Sequence, residues 1–156
     1  MPCSPHMCSA LSHLTSLREL TVFGVAFSTT HELAFLQCMP QLCRLYVSIR
    51  GSEATAAVGR VLGGLAELAE LSLEIEGSDV GYEEMSELGG HLSALTKLSQ
   101  VWVCSNETQN DAGAVQGLWG HLYGTRAASS KRLWSRKGSA WKESKVRGKM
   151  AVWCDI

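Results

Sequence analysis

The stretch "LGGLAELAELSL", Leu62–Leu73, sets leucine at 62, 65, 68 and 71 and then at 73. Three residues is not the spacing of an α-helical stripe, which alternates threes and fours. Nor is it the spacing of a strand, which alternates by two. The same five-position template recurs on both sides. "LSHLTSLRELTV" carries Leu11, Leu14, Leu17, Leu20 and Val22, and "LQCMPQLCRLYV" carries Leu36, Met39, Leu42, Leu45 and Val47. "HLSALTKLSQVWVCSN" carries Leu92, Leu95, Leu98, Val101 and Val103. Four in-phase copies at offsets of about 25 to 30 residues make an internal repeat, the strongest signal in the chain.

Between the copies the apolar spacing turns helical. "STTHELAFLQCM" opens with a Thr29/Glu32 capping box, and "SEATAAVGRVLGGL" offers Ser52 as an N-cap before Ala57, Val58, Val61 and Leu62. "GYEEMSELGGHL" repeats Met85, Leu88 and Leu92, and "QNDAGAVQGLWGHL" supplies Val115, Leu118 and Leu122, with Thr108 and Asp111 as a further capping box. The expected order is strand then helix, four times over, in one α/β domain.

The repeat resembles the leucine-rich-repeat family, whose pattern L-x-x-L-x-L-x-x-N/C-x-L has a period of about 20 to 29 residues. The likeness covers residues 11–122, and the β-α units look like the ribonuclease-inhibitor or F-box-protein style. The consensus Asn position holds Val25, Arg50 and Glu76, and Asn only in the last copy, at 106. The resemblance implies a leucine-rich-repeat solenoid of about four β-α turns over residues 11–123. In it each L-x-L is a short parallel strand, and each preceding triplet run is an arc that buries one leucine per bend.

In such a solenoid the residues between the inward leucines face the concave side. They form three columns: Glu19, Arg44, Glu70, Gln100; then Thr21, Tyr46, Ser72, Trp102; then Phe23, Ser48, Glu74, Cys104. Arg44 then stands between Glu19 and Glu70 on neighbouring strands. Exposed aromatics are common interface anchors, and the Glu70/Glu74 pair favours a basic partner. The resemblance thus implies non-catalytic protein–protein recognition with Phe23, Arg44, Tyr46, Glu70, Glu74 and Trp102 as the partner-binding residues. The partner itself is not specified.

The charge is divided unevenly. Residues 1–124 hold thirteen acidic and five basic residues, a net of −8; residues 125–156 hold two acidic and nine basic, a net of +7. Past "GHLYGTRAASS" the triplets stop, and residues 124–156 are expected to form a disordered basic tail. The tail interleaves Lys and Arg with Trp134, Trp141 and Trp153, the residue classes used to hold nucleic acid. Nucleic-acid association through it is the alternative function, and an incomplete repeat fragment without autonomous function is another.

No apolar run spans a membrane, and "MPCSPHMCSALSHL" has no signal-peptide pattern, so membrane partners are not expected. The six cysteines are expected to be reduced thiols in a cytoplasmic protein, with Cys38 buried and Cys43 partly exposed. Family resemblance adds cytoskeletal or ciliary association as settings. Cys3, His6 and Cys8 are three ligand types in six residues but lack the fourth that a structural zinc site needs. His91 and His121 both precede leucine in "GHL" and are expected at equivalent repeat positions. The phosphate-binding, nucleophile-elbow and H-E-x-x-H motifs are missing, so neither an enzyme nor a cofactor is expected.

Overall fold

A computed structural model describes residues 5–76, 80–105, 117–118, 120–122, 132–137 and 140–145, the last two segments as backbone. The element order is α1 (Pro5–Ser12), β1 (Glu19–Phe27), α2 (Thr30–Leu33) running into a 3-10 turn (Ala34–Cys38), β2 (Arg44–Arg50), α3 (Gly51–Leu62), β3 (Glu70–Glu76), α4 (Tyr82–Ser93), β4 (Gln100–Ser105), β5 (Arg132–Lys137) and β6 (Ala140–Lys145). The fold is mixed α/β. Strands β1 to β6 lie side by side in chain order, with β1 to β4 all parallel.

The threefold leucine spacing has a hydrogen-bond cause. In each arc the N–H of one template residue donates to the carbonyl of the template residue before it. Leu65 donates to Leu62 (2.8 Å) and Leu68 to Leu65 (3.0 Å). Leu42 donates to Met39 (3.1 Å), Leu95 to Leu92 (3.2 Å), and Leu14 to Leu11 (3.0 Å). These are i to i−3 bonds, the period of a 3-10 turn, so every third side chain returns to the same inner side. A second repeated bond ties one arc to the next. The carbonyls of Arg18, Cys43 and Ala69 each accept two backbone N–H groups from the following copy, at residues 43–44, 69–70 and 99–100, over 2.7–3.1 Å.

The leucine sides of the strands and the helices share one core. Leu42, Leu65, Leu68, Leu71, Leu92, Leu98 and Val101 are all essentially inaccessible, as are Val58 and Leu62 of α3 and Leu88 of α4. Burying a side chain of this size contributes about 1.5–3 kcal/mol, so the repeated leucines supply most of what holds the copies together. The first arc is the exception, for Leu14 is 46% exposed. It belongs to the edge strand and has a neighbouring copy on one side alone.

Several local expectations change. The Thr29/Glu32 box forms, with Thr29 Oγ1 accepting from the Glu32 N–H and the Glu32 carboxylate accepting from Thr29 and Ser28. The helix it starts lasts one turn before tightening to 3-10 over Ala34–Cys38, and the turn stops there because Pro40 keeps Met39 out of the α region. Helix α3 starts at Gly51 with Arg50 at the cap position, displacing Ser52 from that role. Cys38 is exposed rather than buried, at the end of the 3-10 turn, and Cys43 is half-buried.

Within the stretch expected to be a disordered tail, Arg132–Lys137 and Ala140–Lys145 are strands, β5 parallel to β4 and β6 antiparallel to β5. Cys3, Asn106, the Thr108/Asp111 box, Val115 and Trp153 lie outside the described residues. Among the described residues, no helix is long and apolar enough to cross a membrane.

Candidate functional site

The candidate site is the strand face opposite the leucines. Strand β3 shows how the chain builds it: Leu71, Leu73 and Ile75 are buried, while Glu70, Ser72, Glu74 and Glu76 between them are half-buried. The first column stands in register as Glu19, Arg44, Glu70 and Gln100. Arg44 bridges its two acidic neighbours, Nη1 lying 3.4 Å from Glu19 Oε2 and Nε 3.2 Å from Glu70 Oε1. Glu19 and Arg44 are exposed and Glu70 is half-buried, so this ladder contributes more to the charge pattern than to stability.

The second column is Thr21, Tyr46, Ser72 and Trp102. Its members line a shallow depression of about 150 Å³ together with the Glu19, Arg44 and Glu70 ladder. Trp102 forms its far wall and is half-buried.

The third column differs from the expected one. Ser48 pairs with Ala26, not Phe23, because β1 bulges between Thr21 and Ala26. Gly24 sits in the bulge at φ +71°, a left-handed conformation that glycine adopts without steric penalty. The bulge leaves Phe23 73% exposed. Its ring lies 4.9 Å from that of Tyr46, tilted by 43°.

Ser48 is buried at 5% exposure rather than displayed. It donates its hydroxyl to Glu74 Oε2 at 2.8 Å, and the Tyr46 hydroxyl reaches the same oxygen at 3.4 Å. Two hydroxyls from β2 thus hold the Glu74 carboxylate in place. Of the six residues singled out from the sequence, Phe23, Tyr46 and Glu74 form one contact chain and Arg44 and Glu70 another. Trp102 lines the depression together with Tyr46, Arg44 and Glu70.

A fourth rung extends the face beyond the three expected columns. Arg50 and Glu76 stand where the repeat pattern expects the turn asparagine, but they end β2 and β3 in register. Arg50 Nε donates to Glu76 Oε2 at 2.9 Å. The signal for it is the continued alternation Leu45-Val47-Ile49 and Leu71-Leu73-Ile75, which lengthens the strands past the consensus turn.

The helix side carries a second concavity, of about 500 Å³, lined by Tyr82, Glu83, Ser86, Glu87, Gly90, His91 and His121. His91 and His121 do occupy equivalent places, each packed over a glycine of the preceding helix. A Cβ on Gly59 would come within 3.0 Å of His91 Cδ2, and one on Gly89 within 3.2 Å of His121 Cβ and 2.6 Å of the Leu118 carbonyl oxygen. Ser86 Oγ and His121 Nε2 share a hydrogen bond of 2.9 Å, and His91 lies 3.8 Å from Glu87. Among the described residues, no group of three or more His, Cys, Asp or Glu is placed to hold a metal ion.

Comparison of the chain with family models, curated proteins and solved structures returns no match. The leucine-rich-repeat resemblance therefore rests on the residue pattern alone.

Proposed function

We propose that the chain is a leucine-rich-repeat solenoid of about four β-α turns that acts as a non-catalytic protein–protein interaction module. Its partner is held on the concave strand face by Phe23, Arg44, Tyr46, Glu70, Glu74 and Trp102. The observation that carries this reading is Phe23. A phenylalanine left 73% exposed forfeits most of its burial energy, and here a bulge with a left-handed glycine holds it against Tyr46 in front of the sheet. Rigid aromatics ringed by polar groups are the usual anchors of protein interfaces. The fixed Glu74 carboxylate beside Tyr46 favours a partner that offers a cation there. The cytoplasmic setting belongs to the same proposal.

The test is affinity capture with the full chain, followed by titration of each purified partner against wild type and Phe23→Ala/Tyr46→Ala. Both positions are at least partly exposed, so the double variant should keep its thermal melt. It should bind about 30-fold more weakly or worse, as loss of a hot spot does. Unchanged affinity for every captured partner would remove the assignment.

A further inference from the structure

The strand face changes character along the sheet. From β1 to β3 it carries Glu19, Arg44, Glu70 and Glu74. From β4 onward the register brings tryptophan and cations together. Trp102 pairs with Trp134, and Gln100 and Cys104 pair with Arg132 and Arg136. Strand β6 then sets Lys145 beside Arg132, Glu143 beside Trp134, and Trp141 beside Arg136.

Successive strand residues alternate between faces. Val101 and Val103 are buried and Trp102 is not, so the register carries the face of Trp102 through 132, 134 and 136 to 141, 143 and 145. The opposite face of the β5–β6 hairpin takes Leu133, Ser135, Lys137, Ala140, Lys142 and Ser144. Both hairpin tryptophans therefore join Trp102 on one face. Three cations accompany them there, against the single acid Glu143.

We propose that the β4–β6 face is a binding platform for single-stranded nucleic acid, formed by the juxtaposition of Trp102, Trp134 and Trp141 with Arg132, Arg136 and Lys145. Neighbouring strands lie about 4.8 Å apart, so the tryptophan positions are spaced to meet bases of one strand, with the cations set to meet its phosphates. Stacking on aromatics with flanking cations is how proteins hold single strands without reading sequence, since every base has a π-face. A duplex hides those faces and could use the cations alone. An acidic polypeptide likewise could use the cations but gives no reason for three tryptophans sorted to one face. The platform shares Trp102 with the protein-binding proposal and extends from it through β5 to β6, away from Phe23 on β1.

The test is fluorescence anisotropy of the full chain with a labelled 15-nucleotide oligo-dT, a duplex of equal length, and poly-glutamate. Oligo-dT should bind more tightly than either competitor, with affinity that falls as salt rises. Trp134→Ala should weaken oligo-dT binding about 5- to 150-fold, the worth of one stacked base. Trp134→Phe keeps a ring in the strand and should retain most of the affinity, which separates stacking from loss of the hairpin. Equal affinity for duplex and single strand, tighter binding of poly-glutamate, or indifference to Trp134→Ala would each overturn the platform.

Discussion

Strands β2 and β3 pair over seven consecutive positions without interruption, whereas β1 and β2 lose register after three. Between Thr21 and Ala26 the edge strand spends four residues where β2 spends one, Val47. Both pairs grow from the same apolar template, so the difference lies in chain length past the leucines. The regular pair packs Leu71, Leu73 and Ile75 flat onto the helices. The bulged pair gives up that regularity and gains a presented aromatic. A bulge at a sheet edge both re-aims a side chain and spoils the edge as a template for further pairing. The middle of the sheet is thus organised around packing and its β1 edge around display.

The largest expected effect tests that contrast directly. Leu71 is 0% exposed on β3, with strands on both sides, and Leu20 is 8% exposed on β1 at the edge. Leu71→Ala should cost about 2–5 kcal/mol, toward the upper end because strands on both sides restrict collapse into the cavity. Leu20→Ala should fall at the lower end, since an edge strand can relax. Urea denaturation of both variants measures this. Equal losses would mean that the edge is packed as rigidly as the centre.

The contrast also explains what could be read in the sequence. The leucine triplets were legible because each arc repeats the same i to i−3 bond, and the register of β2, β3 and β4 followed because those copies keep the same count. The third column was misplaced at Phe23 because counting by twos assumes an unbroken ladder. The clue was Gly24 within "TVFGVAF", a glycine inside a strand pattern. Burial of Ser48 was not legible, since it depends on Glu74 reaching across from β3. Strand β5 was missed for a different reason. "RLWSRK" has two adjacent apolar residues and no leucine arc before it, so neither alternation nor the repeat pattern marks it as a strand. Of the site, the Glu19–Arg44–Glu70 ladder was legible from spacing alone. The contact chain from Phe23 through Tyr46 to Glu74 was not.

Two glycines give the next effect, smaller and opposite in sign. Gly24 holds the bulge at φ +71°, and a methyl added there would meet no atom within 4 Å, so Gly24→Ala is penalised by backbone conformation alone. The left-handed region costs an L-residue about 1–2 kcal/mol. Gly90 lies inside α4 and is equally open, but it has no positive φ to defend. Gly90→Ala should therefore stabilise by about 0.5–1 kcal/mol. Thermal melts of the pair should move in opposite directions. A Gly24→Ala variant as stable as wild type would mean that the bulge does not depend on the left-handed turn.

The smallest stability effect belongs to Arg44, whose side chain is 57% exposed between Glu19 and Glu70. Arg44→Ala should cost under about 1 kcal/mol after allowance for solvent screening. Near 1 M salt, where the screening length is about 3 Å, the difference from wild type should nearly vanish. The same substitution leaves Glu19 and Glu70 uncompensated beside Glu74, so the face becomes more negative where partner encounter begins. Stopped-flow association should then separate the two ends of the sheet. A basic protein partner should associate with the variant at least as fast as with wild type, through stronger steering. Oligo-dT, meeting the β4–β6 end, should be slowed slightly by the added negative potential at low salt and unaffected at high salt. A large loss of stability on removing Arg44 would instead make the ladder part of the packing, and the division between a packed centre and a displayed edge would not hold.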